Sequence, residues 1–284
     1  MALLNVLALL AVLCFSGAVS ISWPEPAIAW WYPVSPQWPK LIEEVAQHTN
    51  VVTSIMLYCG AQVTNEGTIT DVVADECIDQ DGKGTLPALW SLGIRTELTL
   101  GSGNCSIDSY RILWADTVHS IAVLVNMAKA ANVSGFNIDL EPQSENCQGT
   151  GTGHPDDAPL FASWLSVLHQ ELNSIGVRLT VDVATWSPVL RQYSVLAPVV
   201  DRMMDMDTYN AKSFKGWMKF YNDIVNTEIP RSVAGVGLGC WVDKTVNGTW
   251  SVTPESAVER IAQAKSDNVP ELAFWVLDPV TNVW

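Results

Sequence analysis

Basic residues are scarce in this 284-residue chain: 15 Lys and Arg stand against 30 Asp and Glu, a net charge of −15. A phosphate-backbone binder needs a basic surface, so nucleic acid is excluded as a partner, and an anionic membrane is disfavoured for the same reason. No window after the N-terminus holds 18 uninterrupted apolar residues, so no spanning helix is expected. C-x-x-C and any Cys/His cluster at zinc spacing are missing, which leaves no structural metal to assign. There is no G-x-G-x-x-G after the first strand, no G-x-S-x-G and no P-loop, and no cofactor is expected. Four histidines are scattered, three of them in or beside helices, where solvated-surface roles dominate. Charged residues make up only 16% and hydrophobic ones 48%, too apolar for a disordered chain and ample for a core. No internal repeat is visible.

Among what is present, residues 2–15 form an apolar run that leads into Ser16-Gly17-Ala18-Val19-Ser20. This is the pattern of a signal peptide over residues 1–20, cleaved near Ser20, although the run lacks a preceding Lys or Arg; a buried N-terminal helix is the alternative. A secreted or lysosomal destination follows, with residues 21–284 as one domain. Cys14 leaves with the leader, and Cys59, Cys77, Cys105, Cys147 and Cys240 remain, an odd number, so at least one is free or paired between chains. Sequons stand at Asn104, Asn132 and Asn247. The first and last lie in Gly/Ser/Thr-rich stretches that suit a glycan; Asn132 abuts an apolar strand and is expected to be too buried.

Strands alternate with helices along the whole chain. Strands are expected at 27–32, 51–58, 96–100, 135–140, 177–184, 203–209, 233–240 and 271–276. Helices are expected at 36–48, 86–92, 110–131, 158–175, 214–226 and 254–266. The strands are near-continuous apolar runs, as when both faces are buried. An open doubly wound sheet and a closed (β/α)8 TIM barrel both fit. Eight strands, about 250 residues and the missing dinucleotide fingerprint favour the barrel, as a single domain. Only eight residues follow Val276. The eighth helix is therefore expected to be short or missing, with the ring incompletely closed or covered by residues 21–26. In such a barrel Cys105 and Cys147 follow neighbouring strands at one end, a reasonable disulfide, with Cys59–Cys77 a weaker second pair.

Chemistry in a barrel sits at the C-terminal ends of strands. Residues 134–143 read Ser-Gly-Phe-Asn-Ile-Asp-Leu-Glu-Pro-Gln. Side chains alternate along a strand, so Asn137, Asp139 and Glu141 share one face and Phe136, Ile138 and Leu140 the other. Two carboxylates on the inner face of an apolar strand raise each other's pKa, so one holds a proton near neutrality. A carboxylic acid beside a carboxylate is what acid catalysis of glycoside cleavage requires. The alternative is an exposed edge strand with its polar residues outward.

These residues resemble glycoside hydrolase family 18, the chitinases and their relatives, whose fourth barrel strand carries D-G-x-D-x-D-x-E. Here Gly135, Asp139 and Glu141 match, while Ser134 and Asn137 replace the first two acids. The Asn is also what the di-N-acetylchitobiases show, and residues 180–188 (T-V-D-V-A-T-W-S-P) look like the chitobiase T-F-D-V-A-W-S-P with one residue more. Asp207-Thr208-Tyr209-Asn210 resembles the family's M-x-Y-D. Residues 234–241 and 272–276 resemble its seventh and eighth strands.

The resemblance implies a retaining, substrate-assisted glycosidase acting on β-linked N-acetylglucosamine in chitin oligomers or the N-glycan core. Glu141 is then the acid and base, Asp139 holds the acetamide N–H, and Tyr209 donates to the acetamide carbonyl. Asn137 and Asn210 line the same region, Trp275 forms an apolar floor, and Asp207 adds a carboxylate. The chain has 13 tryptophans against six Tyr and six Phe. Large aromatics are usually core, yet Trp30, Trp186, Trp241 and Trp275 fall at predicted strand ends, where rings suit sugar faces. Asp182 is a supporting partner of the site or a paired buried acid. An oligosaccharide is the expected partner and a monomer the expected state. The competing class is a catalytically silent, chitinase-like lectin; a hydrolase of another family on the same fold is a third reading.

Overall fold

A computed structural model describes residues 27–33, 38–50, 52–70, 77, 84–103, 106–142, 153–210, 213–239 and 254–275. Within it the protein is an α/β structure built on a curled, all-parallel sheet. The strands are β1 (Ala27–Pro33), β2 (Ser54–Tyr58), β3 (Arg95–Gly101), β4 (Gly135–Asp139), β5 (Arg178–Val183), β6 (Arg202–Asp205), β7 (Ala234–Gly239) and β8 (Glu271–Trp275). They stand in sequence order, and β8 pairs with β1 as well as β7. The expected short eighth helix and residues 21–26 lie outside the described residues.

Alternation along the strands sorts two environments. One parity (Ile55, Leu57, Leu98, Leu100, Phe136, Ile138, Val181 and Val183) is buried in the outer core. The other parity faces the ring interior, and it is layered. At the strand starts Arg178 donates to Glu97 (Nε–Oε1, 2.7 Å) and Glu271 (Nη1–Oε2, 2.6 Å). Arg95 and Arg202 also reach Glu271, at 3.1 and 3.2 Å. Glu97 further accepts from Ser54 and Thr180 at 3.1 and 3.2 Å. Glu97 and Glu271 are fully buried; burial works to raise the Glu271 pKa, but the three guanidiniums win and hold it at about 2. A Cβ on Gly135 would stand 2.5 Å from Glu97 Cγ, so this motif glycine makes room for the ionic layer. Met56, Met204 and Ala273 form an apolar layer above it. The polar layer at the strand ends is the candidate site.

Several expectations change. The helix expected over 110–131 is two, Ile107–Ala115 and His119–Ala131. Asp116 interrupts it: its Oδ1 accepts the N–H groups of Val118 and His119 at 3.3 and 2.9 Å, a cap that competes with continued helix. The sixth strand stops at Asp205, and a 3-10 turn, Asp207–Asn210, follows. Asn132 is exposed rather than too buried, because it ends its helix in the left-handed region (φ 48°). Cys59 and Cys77, the weaker pair, form a disulfide; Cys105, Cys147 and Cys240 lie outside the described residues. Trp114, Trp164 and Trp217 are helix-layer core: Trp114 stacks on Phe161 at 4.7 Å and Trp217 on Tyr221 at 4.6 Å.

Candidate active site

The interior face of β4 ends in Asn137 and Asp139, with Glu141 two residues beyond the latter. Asp139 is 7% exposed and shares a hydrogen bond with Glu141. Burial, then the charges of Glu141 and Asp182, push the Asp139 carboxyl well above the usual range. Burial also raises Glu141, while its hydrogen bond with Asp139 works the other way. Both carboxyls are thus raised, Asp139 the more strongly, and the two titrate as one hydrogen-bonded pair. Asp139 Oδ1 is buried and has no hydrogen-bond partner among the described residues.

A serine that sequence reasoning missed holds this strand end in place. Ser102, just past β3, accepts the Glu141 N–H at 2.7 Å and donates to the Asp139 carbonyl at 3.3 Å. It fixes both backbones, and its position directly after the neighbouring strand is the signal that was available.

Three tyrosines flank the carboxyls. Tyr209, half-buried in the turn after β6, has its pKa raised by burial first and then by Asp182, Asp139, Asp205 and Glu141. Acids on several sides keep its phenol protonated and able to donate. The ring lies against β7, where a Cβ on Gly237 would come within 2.0 Å of Tyr209 Cε1. Tyr58, at the end of β2, is raised to about 12 by burial and the Asp139 charge; Gln62 donates to its hydroxyl. Tyr110 is raised by burial, against its hydrogen bond with Ser102, and by Asp139 and Glu141. Neither Tyr58 nor Tyr110 was singled out from the sequence.

The remaining expected residues spread further. Asn137 is fully buried and donates to Thr180 and Asp182. Asp207 spends both carboxylate oxygens on Thr185, accepting its N–H at 2.6 Å and its hydroxyl at 2.7 Å. Trp186 packs partly buried against the outer core. Trp275 pairs in register with Gly239, on the parity of Ala273. Trp30 pairs with Ile55 and Phe274, both in the outer core. Asn210 closes the 3-10 turn after β6, and Trp241 lies outside the described residues. No group of acids, His and Cys suited to a metal occurs among the described residues.

No family model matches the sequence, nor does any curated protein. Solved structures do match in fold. A chitinase from Chromobacterium violaceum superposes with a TM-score of 0.68 at 14% identity, over 88% of this chain and 94% of that one. The Group IV chitinase of Ostrinia furnacalis, in complex with allosamidin, gives 0.64 at 14%, over 88% and 91%. The spore cortex-lytic enzyme SleL of Bacillus megaterium gives 0.62 at 13%, over 88% and 70%. At these identities the likeness is one of architecture, and the chain has the fold of the chitinases.

Proposed function

We propose that the protein is a retaining glycoside hydrolase that cleaves β-linked N-acetylglucosamine glycans with help from the substrate's own acetamide. The observation that carries this reading is the hydrogen-bonded Asp139–Glu141 pair, both carboxyls raised, at the strand ends of a chitinase-like fold. When the proton passes from Asp139 to Glu141, one carboxylic acid and one carboxylate stand side by side. Glu141 then protonates the leaving glycosidic oxygen as the C1–O bond breaks. The acetamide oxygen bonds to C1, forming an oxazolinium. The Asp139 carboxylate accepts the acetamide N–H and balances the positive charge. Water then adds at C1, gives its proton to Glu141 and releases the sugar with retained configuration. Tyr209, kept protonated by its acidic neighbours, donates to the acetamide.

The reading takes the ring as a complete (β/α)8 barrel whose open end is this site, with Trp275 as a sugar platform. The bound allosamidin of the insect chitinase supports an oligosaccharide ligand here. The Cys59–Cys77 disulfide supports a secreted or lysosomal setting. The test is hydrolysis of a fluorogenic chitobioside by wild type and Glu141→Gln. Turnover by wild type, lost in the variant with binding retained, supports the enzyme. Binding without turnover in either replaces it with the lectin reading. Neither binding nor turnover removes the substrate assignment, and release from a glucoside lacking the acetamide removes substrate assistance.

A further inference from the structure

Three carboxyl groups, not two, meet at the strand ends. The β4–β5 register runs through Ile138↔Val181, so its next step sets Asp182 beside Asp139. Asp182 is 3% exposed, and its Oδ1 accepts from Asn137 Nδ2 at 3.1 Å. The same nitrogen reaches Thr180 Oγ1 at 3.1 Å, so the amide is fixed from two sides. The interior arginines are committed elsewhere: Arg95, Arg178 and Arg202 are all tied to Glu97 and Glu271 at the strand starts. The titratable groups facing Asp182 are acids or a phenol: Asp139 and Glu141 from the end of β4, Glu97 from β3, and Tyr209 from the turn after β6. A carboxylate there would be a second negative charge in a largely buried site, with no cation facing it among the described residues.

We propose that Asp182 is a positioning residue for the Asp139–Glu141 pair, standing beside Asp139 as a neutral carboxylic acid that supplies a hydrogen-bond donor when Asp139 ionises. This rests on the glycosidase reading above. The unit then has three carboxyls, two protons and one charge. As the shared proton moves from Asp139 to Glu141 and on to the leaving oxygen, the charge left on Asp139 is met by the Asp182 O–H. Asn137 holds the other Asp182 oxygen, so the acid presents one orientation. Burial, opposed by the Asn137 hydrogen bond and helped by the Glu141 charge, raises Asp182 to about 8, in keeping with a neutral acid at working pH. Losing that proton puts a second charge beside the pair and ends the active form. With Asp182→Asn, a second charge has only the pair to occupy, so the active form persists to higher pH.

The experiment uses the full chain with 13C-labelled Asp and Glu carboxyls, titrated by NMR, and pH–rate profiles on a fluorogenic chitobioside. Wild type is expected to show an Asp carboxyl titrating on the alkaline side of neutrality. In Asp182→Asn that resonance disappears and the alkaline limb moves up by about one pH unit or more. Asp182→Ala removes the donor and lowers kcat about 10- to 100-fold with KM little changed, the worth of a hydrogen bond to a charged group. An alkaline limb that stays in place in Asp182→Asn, or the absence of a titrating Asp carboxyl that this change removes, overturns the proposal. If wild type turns over no substrate while the Asp139 and Glu141 resonances still respond to Asp182→Asn, the glycosidase reading falls and the three-carboxyl unit stands.

Discussion

Replacing Gly237 by Ala tests whether Tyr209 is held where the chemistry needs it. The added Cβ would stand 2.0 Å from Tyr209 Cε1, 2.5 Å from Cδ1 and 2.6 Å from the Asp205 carbonyl oxygen. Ordinary contact begins near 3.4 Å, so the ring must retreat by about 1.4 Å, and the carbonyl belongs to the backbone of β6 and gives little. Overpacking of this kind destabilises by about 1–3 kcal/mol. A catalytic group displaced by about 1 Å loses on the order of 100-fold in rate. The assay is kcat and KM on a fluorogenic chitobioside, with urea unfolding of the same preparations. Gly176→Ala is the control. Gly176 has φ +76° and nothing within 4 Å of the place a methyl group would take, so that variant bears only the left-handed backbone penalty of about 1 kcal/mol. It should lose stability and keep its rate. A Gly237→Ala variant within about threefold of wild type, or a Gly176→Ala variant that loses as much, refutes the reasoning.

Further outcomes follow from the same structure. Ser102→Ala strands the part-buried Glu141 N–H and frees the strand end; a loss of about 10-fold or more in kcat is expected, and steady-state kinetics showing less than about threefold would exclude the clamp. Glu271→Gln leaves three guanidiniums around a neutral amide and should destabilise by about 3–5 kcal/mol in urea unfolding, with kcat per folded molecule little altered. Stability should also depend on pH with two opposite signs. Asp182 is raised from 3.8 to about 8, so the folded state binds the extra proton and stability falls as pH rises through that window, by up to about 6 kcal/mol. Glu271 is lowered from 4.5 to about 2, so stability is lost as pH falls through that window, by about 3 kcal/mol. Unfolding between about pH 5 and 9 should show the alkaline decline in wild type and much less of it in Asp182→Asn.

Strand and helix order was legible because near-continuous apolar runs mark buried parallel strands wherever they occur. The boundaries that moved did so for local reasons. Asp116 breaks a helix whose apolar period runs straight through it, and the turn at Asp207–Asn210 ends β6 early. The carboxyl pair was legible because period-2 alternation puts Asp139 and Glu141 on one face without any knowledge of the fold. Asp207 illustrates the limit: the sequence offers it as a site acid, and Thr185, more than twenty residues away, takes both its oxygens.

By itself the sequence determined an acidic, tryptophan-rich chain with eight apolar strands and two acids in alternation at the end of the fourth. Each of these is a local or additive property, readable from neighbours along the chain. The tertiary structure decided which residues from other strands surround those acids. Closing the strands side by side puts Ser102 against the Glu141 backbone, Asp182 beside Asp139, and Tyr209 across the glycines of β7. It also gathers Arg95, Arg178 and Arg202 around Glu97 and Glu271 at the opposite end. Burial and proton sharing depend on distances between residues far apart in sequence, and only the folded ring sets those distances.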